Sequence, residues 1–179
     1  MKFLEAYKDY IGNGSYNYVS EIDSDWVLKR PFKVDGGGGE HDMYDNKDVL
    51  AKFRDDYDIM FTHPKIFPKV KLLSKDRMAV ERVDIYKAKL ELEYIYKMLA
   101  HKIKDKKWSR DNNFKLFLIN LYDDYYRTNY IELLNTDDDI CQKWYRFLRE
   151  LQKIKIPNLD LYARNIGIDK NNNIKLVDF

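Results

Sequence analysis

A polar loop followed by a short hairpin constrains the fold of this chain more than any other segment. Asp160 and Asn165 lie in the loop LDLYARN, and Asp178 follows in KLVDF. Between them, IGI and IKLV flank DKNNN, which predicts two strands joined by a turn. This order allows three oxygen-bearing side chains to converge at one point. Hard oxygen ligands of this kind suit Mg²⁺.

The first eighty or so residues show the pattern of an antiparallel sheet with one helix. YIGNGSYNYVSEI and DWVLKRPF flank the turn at 23–25, which predicts a hairpin, and GGGG at 36–39 predicts a flexible connector. A helix is predicted from about Asp45 to Thr62, ending before Pro64. Its apolar residues at helical spacing are Val49, Leu50, Phe53, Tyr57 and Met60. Two more strands, IFPKVKLLS and RMAVERV, are predicted around turn residues Lys75 and Asp76.

Beyond Val83 the pattern is helical as far as Ile154. Three helices are predicted from three apolar stripes: Leu90, Tyr94 and Met98; Phe114, Phe117, Leu118, Leu121 and Tyr125; Ile140, Trp144, Phe147, Leu148 and Leu151. One of the acids at 137–139 is expected to cap the last helix. We therefore expect an α+β fold with an N-terminal lobe at 1–83 and a helical C-terminal lobe at 84–179.

A second group of residues matches what phosphate binding needs. In GNGSYNYV, Gly12 and Gly14 allow a backbone turn to approach phosphates, and Val19 could cover the face of an adenine. Lys29 follows ten residues later in the strand WVLK. Two glycines alone are more often just a turn, and a strand-end lysine is usually solvated, so the weight of this group comes from its order along the chain.

With these residues in place, the sequence resembles the eukaryotic-type protein kinases. Asp160, Asn165 and Asp178 fall on the catalytic Asp, the metal-binding Asn and the Asp of the DFG motif, and Lys29 matches the strand lysine that binds the α- and β-phosphates. DLYARN is most similar to the tyrosine-kinase form of the loop, with Arg164 at the matching place. The resemblance implies a bilobal fold whose reduced helical C-lobe carries the catalytic loop, and it implies ATP and Mg²⁺ as cofactors.

The resemblance also implies a role for each matching residue. Asp160 would orient the substrate hydroxyl, and Asn165 and Asp178 would hold magnesium. Arg164 would steady the charge on the transferred phosphoryl group. These roles define an expected phosphotransferase that acts on a protein or, as a weaker alternative, on a small molecule.

Further expected nucleotide contacts lie in the N-terminal lobe and at its end. Kinases hold the strand lysine with a helix Glu, but the helix here offers only the acids of FRDDYDIM, with Asp55 as first candidate ahead of Asp56 and Asp58. In MAVERV, Val80 falls near the gatekeeper place, and the backbones of Glu81 and Val83 are expected to bond the adenine. Asp84 could reach a ribose hydroxyl or have no role.

Besides the helix acid, the sequence departs from the kinase pattern in three places. Asn158 and Leu159 replace the His-Arg before the catalytic Asp, so control by activation-loop phosphorylation is not expected. The sequence ends at Phe179, before a DFG glycine or an activation segment. The stretch from hinge to catalytic loop is long, which is more like the aminoglycoside and choline kinase relatives.

Composition limits the other functional classes. Lys and Arg (32) nearly balance Asp and Glu (30), so no strong electrostatic argument for nucleic acid follows, although the Lys and Tyr of YKAKLELEYIYK keep RNA binding as a remote hypothesis. The single cysteine excludes an intrachain disulfide and a cysteine-rich zinc site. The absence of an apolar signal core and of a long apolar stretch predicts a cytoplasmic protein without a membrane segment. The richness in Tyr, Asn and Lys suggests a viral origin, in which case the compartment would be the host cytoplasm.

Two functions are compatible with these residues. The first is an ATP- and Mg²⁺-dependent kinase. The alternative is a pseudokinase-like protein that binds a partner through its Tyr-rich helices, such as a viral modulator of a host factor. The acceptor and the oligomeric state are left open by the sequence.

Overall fold

The computed structural model describes residues 8–13, 17–31, 46–100, 130–154, 161 and 163–177. Contacts within the chain divide it into two compact units, Met1–Arg82 and Val83–Phe179. The fold contains helices and antiparallel sheet, which confirms the predicted α+β class. The sequence predicts a lobe boundary after Val83, whereas the first unit ends at Arg82.

The first unit contains a five-stranded antiparallel sheet in the order β1-β2-β3-β5-β4. Its strands are β1 (Lys8–Asn13), β2 (Asn17–Glu21), β3 (Trp26–Pro31), β4 (Val70–Ser74) and β5 (Arg77–Glu81). The turn between β2 and β3 is closed by Asp23, whose Oδ1 accepts the amide N–H groups of Asp25 and Trp26 at 2.8 and 2.9 Å. The predicted hairpin around residues 23–25 is therefore confirmed.

Helix α1 (Asn46–Thr62) lies between β3 and β4 in the chain and packs against both strands. Phe53 and Met60 of its predicted apolar stripe are almost fully buried. The chain leaves the helix through His63, and Pro64 then prevents its continuation. Packing of this one face against the sheet stabilises α1 in the segment between β3 and β4.

The second unit combines helices with a two-stranded sheet. Among its described residues, the elements are α2 (Ile85–Ala100), a short 3-10 helix (Tyr130–Leu134), α3 (Asp139–Lys153), a second 3-10 turn (Ala163–Asn165), and strands β6 (Ile166–Ile168) and β7 (Ile174–Leu176). Strands β6 and β7 form the predicted antiparallel hairpin. Asp169 closes its turn by accepting the N–H groups of Asn171 and Asn173 at 2.9 and 2.8 Å.

Helix α3 has the cap and the buried face that its sequence predicts. The Oδ1 of Asp138 accepts the Cys141 amide N–H at 2.9 Å, so the middle acid of 137–139 is the N-cap. The buried residues are Cys141, Trp144, Phe147, Leu148 and Leu151. Four of them belong to the predicted stripe; Ile140 is half-buried, and Cys141 replaces it in the core.

The predicted apolar stripe of α2 is wrong. Leu90 and Tyr94 are exposed, and the buried residues of this helix are Ala88, Leu92, Ile95 and Leu99. The helix carries apolar residues on most of its circumference. Two apolar stripes about half a turn apart are therefore both compatible with helical spacing. The structure buries the aliphatic one and leaves the tyrosine hydroxyls at the surface, where they can be solvated.

Two further predictions concern the middle of the chain and membranes. The predicted helix with the stripe from Phe114 to Tyr125 lies outside the described residues, as does the GGGG connector. Among the helices that the structure does describe, none is long and apolar enough to cross a membrane.

Candidate functional site

A cross-strand row in the first unit brings together three of the predicted nucleotide-binding residues. The register places Gly12 of β1 opposite Val19 of β2, and Val19 opposite Lys29 of β3. Directly opposed residues of antiparallel strands point to the same face of a sheet. Val19 and Lys29 therefore share one face, beside the backbone of Gly12. The second predicted glycine, Gly14, lies outside the described residues.

The same row continues into β5. Lys29 pairs with Met78, so Val80, two residues further along β5, lies on the Lys29 face as well. Lys29 is only 5% exposed, Val80 is equally buried, and Val19 is half-buried. A lysine this buried must have its ammonium group satisfied by partners, because an isolated buried charge is costly. The face thus contains a buried amine among apolar side chains, a combination that suits phosphate next to a flat apolar ring.

The acids of α1 differ sharply in burial. Asp56 is 4% exposed, whereas Asp55, the first candidate from the sequence, is exposed, as is Asp58. The Oδ1 of Asp56 lies 3.4 Å from the Nζ of Lys52, one helical turn earlier. Since α1 packs against the strand that carries Lys29, Asp56 is the acid of FRDDYDIM that faces the interior of the unit.

The predicted hinge strand ends with a buried carboxylate. Glu81 is 6% exposed, and its Oε2 accepts the Lys69 amide N–H at 3.4 Å. The Glu81 amide N–H donates to the Lys69 carbonyl at 2.8 Å. This N–H is therefore engaged within the sheet, and a base could use only the carbonyl side of Glu81.

In the second unit, the hairpin brings Val177 opposite Asn165, one of the two predicted metal ligands. The Val177 amide N–H donates to the Asn165 carbonyl at 2.7 Å, one step beyond the β6–β7 pair Ile166 and Leu176. Asn165 is 7% exposed and ends a 3-10 turn. Asp178, the next residue after Val177, lies outside the described residues. The backbone hydrogen bond nevertheless places Val177, the residue directly before Asp178, opposite Asn165.

The remaining residues of the predicted catalytic loop are described only in part. Leu161 is buried at 2% exposure, and Arg164 is exposed. Asp160, the predicted catalytic base, lies outside the described residues. Within the described ranges there is no group of three or more His, Cys, Asp or Glu side chains that could hold a metal ion. The predicted ligands would not form such a group, because one of them is an Asn and the other is Asp178.

The segment Val83–Asp84 is bonded to β6. The Asp84 N–H donates to the Ile168 carbonyl at 2.8 Å, and the Ile168 N–H donates back at 3.1 Å. Gly167 lies directly against Val83: a Cβ on Gly167 would overlap the Val83 Cγ2 and would lie 2.7 Å from the Val83 Cβ. The absence of a side chain at residue 167 is what permits this approach.

Asp84 has a structural role that sequence reasoning did not assign. Its Oδ1 accepts the Lys87 amide N–H at 2.8 Å, so Asp84 is the N-cap of α2. An Asp immediately before a run of helical period is a common start signal, and it could have been recognised. The Gly167 contact has no comparable sequence signal.

A polar cluster on the helices of the second unit was also missed. Glu91 of α2 accepts from the Lys143 Nζ at 2.6 Å and from the Trp144 Nε1 at 3.0 Å. Asn172, in the β6–β7 turn, accepts from both Lys87 and Lys143 at 2.9 and 3.2 Å. These bonds satisfy the indole of the fully buried Trp144 and join α2, α3 and the turn. The cluster is a structural network.

Comparison with known proteins adds no assignment to this geometry. No protein-family model matches the chain, and no curated protein matches it significantly in sequence.

Proposed function

We propose that this protein is an ATP- and Mg²⁺-dependent phosphotransferase of the protein-kinase-like type, transferring the γ-phosphoryl group to a hydroxyl, with a protein favoured as acceptor. The observation that carries the proposal is the row Gly12, Val19 and Lys29 across adjacent strands. In the proposal, Val19 covers the base, the backbone at Gly12 approaches the phosphates, and Lys29 neutralises their charge. This row therefore supports the nucleotide-binding part of the proposal.

The helix acid of the proposal is Asp56, because it is buried whereas Asp55 is exposed. Asp is one methylene shorter than Glu, so its ion pair with a strand lysine requires either a close helix or a bridging water. The base contacts are assigned to the carbonyl of Glu81 and to the backbone of Val83. Each of these contacts follows the kinase resemblance, adjusted to the burial and hydrogen bonding of these residues.

For the metal, Asn165 and Asp178 supply oxygen ligands of the type that Mg²⁺ accepts. The bond between the Val177 N–H and the Asn165 carbonyl supports this pairing. Held by these residues, Mg²⁺ would supply positive charge that offsets the charge of the phosphates. Asp160 orients the acceptor hydroxyl and takes its proton as that oxygen bonds to the γ-phosphorus, while the bond to the β-phosphate oxygen breaks and ADP leaves.

A thermal-shift titration with ATP and Mg²⁺ tests the nucleotide site, because a ligand that binds only the folded state raises the melting temperature. We expect a concentration-dependent rise for the wild type and its loss in Lys29→Met, which keeps much of the side-chain volume. Arg30→Met, on the adjacent position of the same strand, is the matched control and should retain the rise. A wild type that shows no rise at saturating ATP would refute the proposal.

A second candidate is a binding protein of the same fold without turnover, which the replacement of the helix Glu by an Asp favours. The two candidates differ in phosphoryl transfer. Incubation with γ-labelled ATP should label an acceptor with the wild type but not with Asp160→Asn, which removes the carboxylate and keeps the shape. Equal labelling by both would exclude Asp160 as the base, and nucleotide binding without labelling would favour the second candidate.

A further inference from the structure

The outward side of α2 carries an apolar stripe that the fold leaves at the surface. Tyr86 is 70% exposed, Leu90 47% and Tyr94 43%. The three residues are spaced by four, so they follow one another along the same side of the helix at about 6 Å intervals. We call them the α2 stripe. The opposite side of the helix is buried in the core of the second unit.

The α2 stripe is held in place by bonds at both ends of the helix segment. Asp84 caps the N-terminus through the Lys87 amide. At the other end, the Tyr94 hydroxyl donates to the Asp138 Oδ2 at 2.7 Å, which fixes the orientation of that ring. A surface that is already ordered loses little conformational entropy when a partner binds, which favours association.

Charges on the two sides of the α2 stripe follow a self-complementary order. In YKAKLELEY, lysines precede Leu90 and glutamates follow it, with a tyrosine at each end. On one flank lie Lys89 and Glu93. On the other lie Lys87 and Glu91, but Glu91 is already engaged by Lys143 and Trp144. The flank with Lys89 and Glu93 is therefore the one with charges available to a partner.

A two-fold axis through Leu90 would match this surface to itself. Two antiparallel copies of α2 related by that axis bring Leu90 against Leu90 and each Tyr86 against the Tyr94 of the other copy. The same rotation keeps equivalent flanks together and places each Lys89 beside the Glu93 of the other copy. A two-fold interface requires this kind of self-complementarity.

We propose that the α2 stripe is the contact surface of a homodimer in which two copies pack antiparallel through α2. One helix pair buries less than the roughly 800 Å² per partner of a standard interface, so the dimer is weak and depends on concentration. This proposal does not depend on nucleotide binding or on catalysis.

Sedimentation equilibrium across about 5 to 500 µM tests the proposal, since this range covers dissociation constants in the micromolar class. We expect the wild type to shift from monomer to dimer. Leu90→Asp places two carboxylates at the axis and should keep the chain monomeric throughout. The matched control is Leu72→Asp, because Leu72 is similarly exposed, at 46%, but lies on β4; this variant should dimerise like the wild type.

Charge reversal tests the orientation. Lys89→Glu alone and Glu93→Lys alone each create like-charge pairs across the axis and should raise the dimer Kd about tenfold or more. An equimolar mixture of the two variants should associate more tightly than either alone, because the mixed dimer restores opposite charges. If Lys89 paired only with Glu93 of its own helix, mixing the two variants would not restore association.

Several outcomes would overturn the proposal. These are a wild type that stays monomeric over the whole range, a Leu90→Asp variant that dimerises normally, and a mixture without rescue. Retention of the chain on single-stranded RNA without self-association would also overturn it and would assign the α2 stripe and its lysines to nucleic acid instead. Circular dichroism of each variant confirms that α2 remains folded.

Discussion

At the scale of single residues, adjacent acids on α1 have opposite environments. Asp55 and Asp56 follow one another in FRDDYDIM, yet Asp56 is buried at 4% exposure and Asp55 is exposed. Successive helical residues point about 100° apart. To predict which of two adjacent acids is buried, the rotation of the helix about its axis must therefore be known to within one residue position. The sequence predicted the helix and the set of acids, but the burial that separates them depends on how α1 packs.

Substitution of each acid by Ala should reveal this difference. We expect Asp56→Ala to lower the free energy of unfolding by about 1–3 kcal/mol, because it removes a buried carboxylate together with its charge-assisted bond to Lys52. Asp55→Ala, its matched control, should change the free energy by less than about 0.5 kcal/mol. Urea denaturation of both variants measures the two values, and equal losses would contradict the assignment of Asp56 to the interior.

Gly167 is the second residue whose importance is visible only in three dimensions. Gly167→Ala should destabilise the protein by about 1–3 kcal/mol, because the new methyl group overlaps the Val83 side chain. Val83→Ala removes the Cγ2 atom that the methyl group overlaps and leaves the Val83 Cβ in place, so the double variant Gly167→Ala with Val83→Ala relieves part of the overlap and should be less destabilised than the sum of the single changes. A thermodynamic cycle on the four proteins measures the coupling, and strict additivity would contradict the contact.

At the scale of elements, hairpins and caps were the most predictable features. The β2–β3 hairpin, helix α1, the β6–β7 hairpin and the cap of α3 all follow from local signals: turn residues, alternation and an acid before a helix. The orientation of α2 was not predictable, because apolar residues on most of its circumference leave the buried side to tertiary packing. Which stripe is buried depends on the elements that α2 meets.

The cap of α3 makes a defined contribution that depends on pH. The hydrogen bond from Tyr94, followed by that from the Cys141 amide, lowers the pKa of Asp138 below its ordinary value; the same Asp138 bond raises the pKa of Tyr94. A lowered carboxyl pKa adds stability above the ordinary Asp pKa of about 4 and loses it as the pH falls through the lowered value.

Asp138→Ala should therefore cost about 1 kcal/mol of unfolding free energy at neutral pH. The difference between this variant and the wild type should shrink as the pH falls from about 4, the ordinary Asp pKa, through the lowered pKa of folded Asp138. Urea denaturation of both proteins at pH 7 and at the lowest pH where they stay folded provides the comparison. A difference that is constant over this range would mean that the ionised carboxylate is not what stabilises the cap.

At the scale of the whole molecule, the proposed ligands divide between the two units. Lys29 belongs to Met1–Arg82, and Asn165 belongs to Val83–Phe179. The sequence predicted both groups because their spacing in the chain carries the signal. It did not predict which acid is buried or where Val83 would pack, since those depend on contacts between segments that are distant in sequence.

The effects of ATP and Mg²⁺ on the melting temperature should distinguish the proposed phosphate-binding residue from the proposed metal-binding residue. If Lys29 binds phosphates and Asn165 binds the metal, Lys29→Met should abolish the rise in melting temperature caused by ATP with or without Mg²⁺. Asn165→Ala should keep the rise caused by ATP alone and lose the additional rise caused by Mg²⁺. Differential scanning fluorimetry with and without Mg²⁺ measures both increments. An Asn165→Ala variant with a full Mg²⁺ increment would remove this residue from the metal site.

The two bonds of Asn172 differ in how far apart in the chain their partners lie. The bond between the Lys87 Nζ and the Asn172 Oδ1 joins positions 85 residues apart, whereas that from Lys143 spans 29. Joining distant positions costs more loop-closure entropy, and folds rich in such contacts form slowly. We therefore expect the β6–β7 hairpin to dock onto α2 late in folding. During synthesis, α2 leaves the ribosome before the turn that carries Asn172, so the bond from Lys87 can form only after that turn has been made.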